Sequence, residues 1–90
     1  MKPIVVKIGG STLGNHDTIL EDLVELQKEG ISVVVIHGGA QEVSSWLSRL
    51  GISTNFIKGL RVTDAETLEV VAAILGGLVN KELVVAIQAL

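Results

Sequence analysis

Two segments, VVKIGG at residues 5–10 and VVVIHGG at residues 33–39, restrict the fold of this chain more than anything else in it. Each is a β-branched run of the kind found in strands buried on both faces, and each runs straight into paired glycines ahead of an amphipathic stretch. After the first pair, HDTILEDLVELQKEG places Ile19, Leu20, Leu23 and Leu26 at helical spacing, with acids early, Lys28 late and Gly30 as the stop. After the second, AQEVSSWLSRLG sets Val43, Trp46, Leu47 and Leu50 on one stripe, with Gly51 just past the end. Strand, helix, strand, helix at these lengths predicts a parallel α/β unit with a right-handed crossover.

The remainder reads as a hairpin and a long helix. NFIKGLRVT turns around Lys58-Gly59, and TDAE reads as a capping box with Thr63 as the N-cap and Glu66 at the third helical position. The helix that follows carries Val70, Val71, Ile74, Leu75 and Leu78, then Val84, Val85 and Ile87, which is more apolar surface than one sheet face covers. Gly76-Gly77 falls in its middle, where glycine costs about 1 kcal/mol per residue relative to alanine, so a close approach by another element is expected there. NKELVVAIQAL carries no glycine, asparagine or proline stop after it, so the chain is expected to be the front part of a longer protein.

Composition narrows the function. A net charge of −3 and only two aromatic residues, Trp46 and Phe56, argue against a nucleic-acid partner. With no cysteine there is no disulfide staple and no thiolate metal site. Glu21, Asp22, Glu25 and Glu29 have the spacing of one solvated helix face rather than of a metal site. The start lacks the parts of a signal peptide and no apolar run looks long enough to span a bilayer, so a cytoplasmic chain without a membrane partner is expected.

If the two strands lie side by side and parallel, both glycine turns sit at the same carboxyl edge, where α/β sheets bind ligands. Paired glycines let the backbone approach a ligand and aim consecutive N–H groups at an anion, although glycine at such a connection also serves packing alone. Neither standard nucleotide pattern fits: Asn15 and His16 stand where a phosphate-binding loop needs lysine and a hydroxyl, and no glycine pair has the single-residue gap of the dinucleotide motif. Lys7 is the informative departure. An ammonium two residues before the turn can emerge at the strand end and approach a phosphoryl group that the glycine backbone holds from the other side. His16 reads as a solvated loop residue and His37 as a strand-end hydrogen-bonding residue.

VVKIGGSTL, VVVIHGGA, GLRVTDAETLEVV and GLVNKELV, in this order, resemble the amino-acid kinase family, above all its acetylglutamate kinase branch and the similar aminoadipate kinases acting on a carrier-protein-linked substrate. The resemblance covers nearly the whole chain. It implies an α/β, parallel-sheet three-layer sandwich with a short hairpin, residues 1–90 being the amino-terminal substrate- and phosphoryl-binding portion and the ATP lobe being absent. It implies that Lys7 neutralises charge on the phosphoryl group in flight and that Gly9 and Gly10 contact that group. Gly38, Gly39 and Ala40 then line the substrate, and Arg61 holds its carboxylate. The family usually has a third glycine where Ala40 stands, so a Cβ borders the pocket.

The implied reaction is ATP-dependent phosphorylation, with Mg²⁺ bound to the nucleotide, of the side-chain carboxylate of N-acetyl-L-glutamate or a similar acidic amino acid, in arginine biosynthesis. Alternatives are the kinases of carrier-linked aminoadipate or glutamate, and a non-catalytic binding or assembly fragment. A carboxylate is already ionised at neutral pH, so this chemistry needs positioning and charge neutralisation rather than a base. The resemblance also implies a homodimer through the helix after Thr63. The arginine-inhibited hexamers of the family carry an extra helix before the first strand, so insensitivity to arginine is expected as well.

Overall fold

The computed structural model describes residues 2–9, 18–53 and 55–90. Gly10 and His16 lie outside the described residues. Strand β1 (Ile4–Ile8) pairs in parallel with β2 (Val33–His37), joined through helix α1 (Ile19–Lys28). The register sets Val5 against Val34, Lys7 against Ile36 and Ile8 against His37. Helix α2 (Ala40–Arg49) follows β2 directly. Strands β3 (Asn55–Ile57) and β4 (Leu60–Val62) form the antiparallel hairpin, its turn at Lys58 and Gly59 with φ of 51° and 80°. Two consecutive positive φ angles are what a two-residue hairpin turn requires. The last helical run comprises α3 (Ala65–Ala73), a π-helical stretch (Ile74–Val79) and α4 (Asn80–Gln88).

The chain divides into two compact units, one formed by the residues up to Gly38 with Glu82–Leu90 and the other by Gly39–Lys81. In the first, Ile8, Leu20, Leu23 and Leu83 make the buried core, with Val6, Val33, Val35 and Ile87 packed against it. Helices α1 and α4 thus supply the cover for one sheet face. The other face carries Val5, Val34 and Ile36 at 59%, 46% and 52% exposure, so the expectation of strands buried on both faces is not met among the described residues. Strand side chains alternate, and every residue of this face lies opposite the helices. The described fold is therefore mixed α/β, with a small parallel sheet, a hairpin and three helical runs.

In the second unit α2 buries Val43 and Leu47, and the last helical run buries Thr67, Ile74 and Val79. The N-cap of α3 is Asp64, not Thr63: its carboxylate accepts the Thr67 N–H at 2.8 Å. That bond, with a second from the Thr67 hydroxyl, holds the Asp64 carboxyl below its ordinary pKa. A carboxylate caps as well as a hydroxyl does, and the helix takes the one whose reach matches Thr67.

The run Ala65–Gln88 is 24 residues long with a window of mean hydropathy 2.0, long and apolar enough by length and composition to cross a membrane. This corrects the expectation that no run is long enough, since neither Gly76-Gly77 nor Asn80 breaks the helix. Lys81 falls within it, and a lysine at a bilayer centre costs ~2.5–3.5 kcal/mol. A Cβ added at Gly76 or Gly77 would meet nothing within 4 Å, so no described residue makes the close approach expected there.

Candidate functional site

At the carboxyl edge of the parallel sheet, pairing continues one residue past the strands: the Gly38 N–H donates to the Ile8 carbonyl oxygen at 3.0 Å. This bond draws Gly38 alongside the end of β1, which Gly9 directly follows in the chain. The side-by-side, parallel arrangement on which the shared ligand edge depends is thereby present. A Cβ built at Gly9 would sit 3.9 Å from Lys7 Cε, so the lysine stem runs forward along the end of its own strand. Its side chain is exposed, which relieves the cost of an ammonium on a strand otherwise made of apolar residues. His37 Nδ1 lies 3.0 Å from the Gly38 carbonyl oxygen and, as the Nδ1–H tautomer, donates to it at the strand end.

The second unit opens on Gly39, the buried N-cap of α2, with φ of 148° and ψ of 32°. A Cβ there would lie 2.8 Å from Leu75 Cδ2 and 3.3 Å from Val79 Cγ2, so glycine is required by both conformation and space. Ala40 is exposed, and its carbonyl oxygen accepts a bond from Arg61 Nη2 at 3.2 Å. Ser44 Oγ accepts from the same nitrogen at 3.0 Å. The guanidinium carbon stands 4.8 Å from the Phe56 ring centroid.

Of the residues singled out from the sequence, Lys7, Gly9 and Gly38 come together in the first unit. Gly39, Ala40 and Arg61 come together in the second. Sequence reasoning did not find Ser44 and Phe56, which hold Arg61, or Leu75 and Val79, which close over Gly39. Phe56 was findable, because a Lys58-Gly59 turn puts it directly opposite Arg61. Among the described residues no group of three or more His, Cys, Asp or Glu could hold a metal ion. An open groove of about 340 Å³ beside α1 is lined by Leu23, Val24, Val33, Val35 and Ile87, with Gln27 and Lys28 as its polar lining, and it brings no catalytic groups together.

The profile of the amino acid kinase family matches residues 2–90. The chain belongs to that family. Among curated amino acid kinases it is similar to the acetylglutamate kinase of Dehalococcoides mccartyi, 54% identical over 84 residues that cover 93% of this chain and 31% of that protein. The acetylglutamate kinase of Prochlorococcus marinus is 44% identical over 90 residues, 97% of this chain and 30% of its own length. The chain thus spans about a third of the length of the curated amino acid kinases it matches. In shape it is similar to smu.665 of Streptococcus mutans UA159, with a TM-score of 0.88 and 29% identity over 96% of this chain and 36% of that one. It is also similar to an N-acetylglutamate synthase from Neisseria gonorrhoeae, solved with coenzyme A and N-acetyl-glutamate. There the TM-score is 0.72 and the identity 28%, over 96% of this chain and 20% of that one.

Proposed function

We propose that this chain is the substrate- and phosphoryl-binding portion of an acetylglutamate kinase, which transfers the γ-phosphoryl group of ATP to the side-chain carboxylate of N-acetyl-L-glutamate in arginine biosynthesis. The name carried by relatives 44–54% identical over most of the chain supports the substrate. The observation that carries the chemistry is Lys7 running along Gly9 at the end of β1, the strand end to which Gly38 is hydrogen-bonded.

The substrate carboxylate is ionised at neutral pH and attacks without a base. The difficulty is bringing two anions into line, and the residues present suit that task. The Lys7 ammonium offsets charge on the phosphoryl group as it moves. Backbone N–H groups at Gly9 and Gly10 hold its oxygens, as consecutive amides in a glycine turn do. Arg61 offers a planar fork to the carboxylate of the amino acid, while Gly38, Gly39 and Ala40 line it with backbone. Mg²⁺, bound with the nucleotide, would offset charge on the phosphates, and no step is assigned through it.

Most contacts to ATP belong to sequence beyond these residues, in keeping with the chain covering about a third of its relatives. The working enzyme is cytoplasmic and a homodimer. The uncovered side of Gly76-Gly77 and the exposed Leu78, Val84 and Val85 support pairing through the last helix.

The test is a chimera in which these 90 residues replace the matching stretch of the Dehalococcoides enzyme, assayed by trapping acyl phosphate with hydroxylamine. Lys7→Ala is expected to lower kcat about 10²–10³-fold, the cost of losing one charge-stabilising donor, with KM for N-acetyl-L-glutamate changed only a few-fold. Equal turnover in mutant and parent removes Lys7 from the mechanism. The 90-residue chain alone is expected to give no hydroxamate.

A further inference from the structure

Arg61 sits on a three-residue strand of a two-stranded hairpin, and its neighbours there, Ile57 and Leu60, are 63% and 74% exposed. Such a hairpin has little rigidity of its own. An arginine on it has more rotamer freedom than almost any other side chain, and whatever order binding must impose on it weakens the binding. The guanidinium is nevertheless held from two directions. Nη2 donates to the Ala40 carbonyl oxygen at 3.2 Å and to Ser44 Oγ at 3.0 Å, two acceptors one helical turn apart on α2. From the hairpin side, the Phe56 ring lies 4.8 Å from the guanidinium carbon, placed there by the cross-strand pairing of Phe56 with Arg61.

These contacts divide by kind. The Ala40 carbonyl belongs to the backbone of the first turn of α2 and is present whatever side chain stands there. The Ser44 hydroxyl is a side-chain choice, since most residues four positions along from Ala40 would not offer Nη2 this acceptor. A hydrogen bond to a charged group is worth more than a neutral one, and here it also fixes the plane of the fork.

We propose that Ser44 is a positioning residue for the substrate site: its hydroxyl, opposed by the Phe56 ring, holds Arg61 against the first turn of α2 so that the guanidinium meets the substrate carboxylate already oriented. This rests on the reading of the substrate as an acyl amino acid whose carboxylate Arg61 binds. Because α2 begins at Gly39, the same tether keeps the hairpin arginine in register with the Gly39–Ala40 backbone.

N-acetyl-L-glutamate titrated calorimetrically into the full-length chimera tests it, with parent, Ser44→Ala, Ser44→Thr and Arg61→Ala compared. Ser44→Ala is expected to weaken binding about tenfold, the cost of ordering one freed arginine side chain on binding, while lowering the melting temperature by no more than about a few degrees. Ser44→Thr, which keeps the hydroxyl, should stay within about twofold, and Arg61→Ala should abolish binding. In the ligand-free protein, ¹⁵N NMR of the Arg61 guanidinium should show faster rotation and faster Nε–H exchange in Ser44→Ala than in the parent. If Arg61→Ala abolishes binding while Ser44→Ala binds like the parent, or if Ser44→Thr is as weak as Ser44→Ala, the positioning role is overturned and the substrate reading survives. If the parent itself does not bind N-acetyl-L-glutamate, the substrate reading fails and the positioning role falls with it.

Discussion

Gly38 and Gly39 are adjacent and chemically identical, yet the structure sets them far apart in what they tolerate. At Gly39 the backbone has φ of 148°, and an added methyl would stand 2.8 Å from Leu75 Cδ2 and 3.3 Å from Val79 Cγ2. A non-glycine residue in so sparsely populated a conformation costs ~1–3 kcal/mol. Overpacking adds ~1–3 kcal/mol, toward the middle of that range because the Leu75 tip can swing away but the β-branched Val79 cannot. Alanine recovers about 0.4–1 kcal/mol by restricting the unfolded chain. Gly39→Ala should therefore destabilise by ~2–4 kcal/mol, which for a chain of this size lowers the melting temperature by roughly 10–30 °C. At Gly38 no atom of the described residues lies within 4 Å of the built Cβ, so Gly38→Ala should stay within about 0.5 kcal/mol of the parent.

Urea and thermal unfolding followed by circular dichroism and by fluorescence of Trp46, the single tryptophan and itself on α2, measure both. A double-mutant cycle with Leu75→Ala isolates the steric share, because removing the Leu75 tip should relieve the clash and leave the backbone strain. The reasoning is refuted if Gly39→Ala unfolds with the parent, if Gly38→Ala costs as much, or if the cycle shows no coupling between Gly39 and Leu75.

Two further outcomes follow from the long helix. Gly76→Ala and Gly77→Ala should each stabilise the unassociated chain by up to ~1 kcal/mol through helix propensity, since no described residue crowds the new methyl, while weakening self-association if a second copy packs against that side. Sedimentation over a concentration series reads the association, and a chain that is monomeric throughout sinks the pairing. Asp64 has its folded pKa held below the ordinary 3.8, so the stability it contributes is present above that value and is lost as pH falls through the lower folded one. An NMR titration should show the Thr67 amide moving with the Asp64 carboxyl in that acid window, and Asp64→Ala should remove the transition.

How much of this was legible in the sequence depended on how local the cause was. Gly30 and Gly51 as helix stops, with φ of 86° and 72°, and the Lys58-Gly59 turn follow from the backbone freedom of a few residues, and all three appear where the pattern put them. The cap of α3 slipped by one residue because Thr63 and Asp64 both carry a capping oxygen, and only the helix start decides which one reaches Thr67. Strand composition could not reveal the uncovered face of Val5, Val34 and Ile36, since β-branched runs record that a face is meant to be covered, not by what. In the candidate site, the parallel pairing that brings Gly38 beside the end of β1 was legible from the repeat. The Ser44 bond to Arg61 spans 17 positions and depends on how the hairpin meets α2, for which no local signal exists.

The wide turn in the last helix bears on how this protein tolerates changes of length. Ile74 and Val79 are both buried although five positions apart, and on a regular α-helix residues so spaced point about 140° away from each other. The π-helical stretch absorbs the surplus residue and returns both to one side. Thr67 precedes Ile74 by seven positions and Leu83 follows Val79 by four, so removing either glycine would leave intervals of seven, four and four, the rhythm of an unbroken α-helix. A one-residue deletion elsewhere in a helix swings everything beyond it by about 100°. At Gly76 or Gly77 it would instead bring the four buried residues into plain α-helical phase, which makes this pair of glycines the point where the helix can lose a residue and keep its buried row aligned.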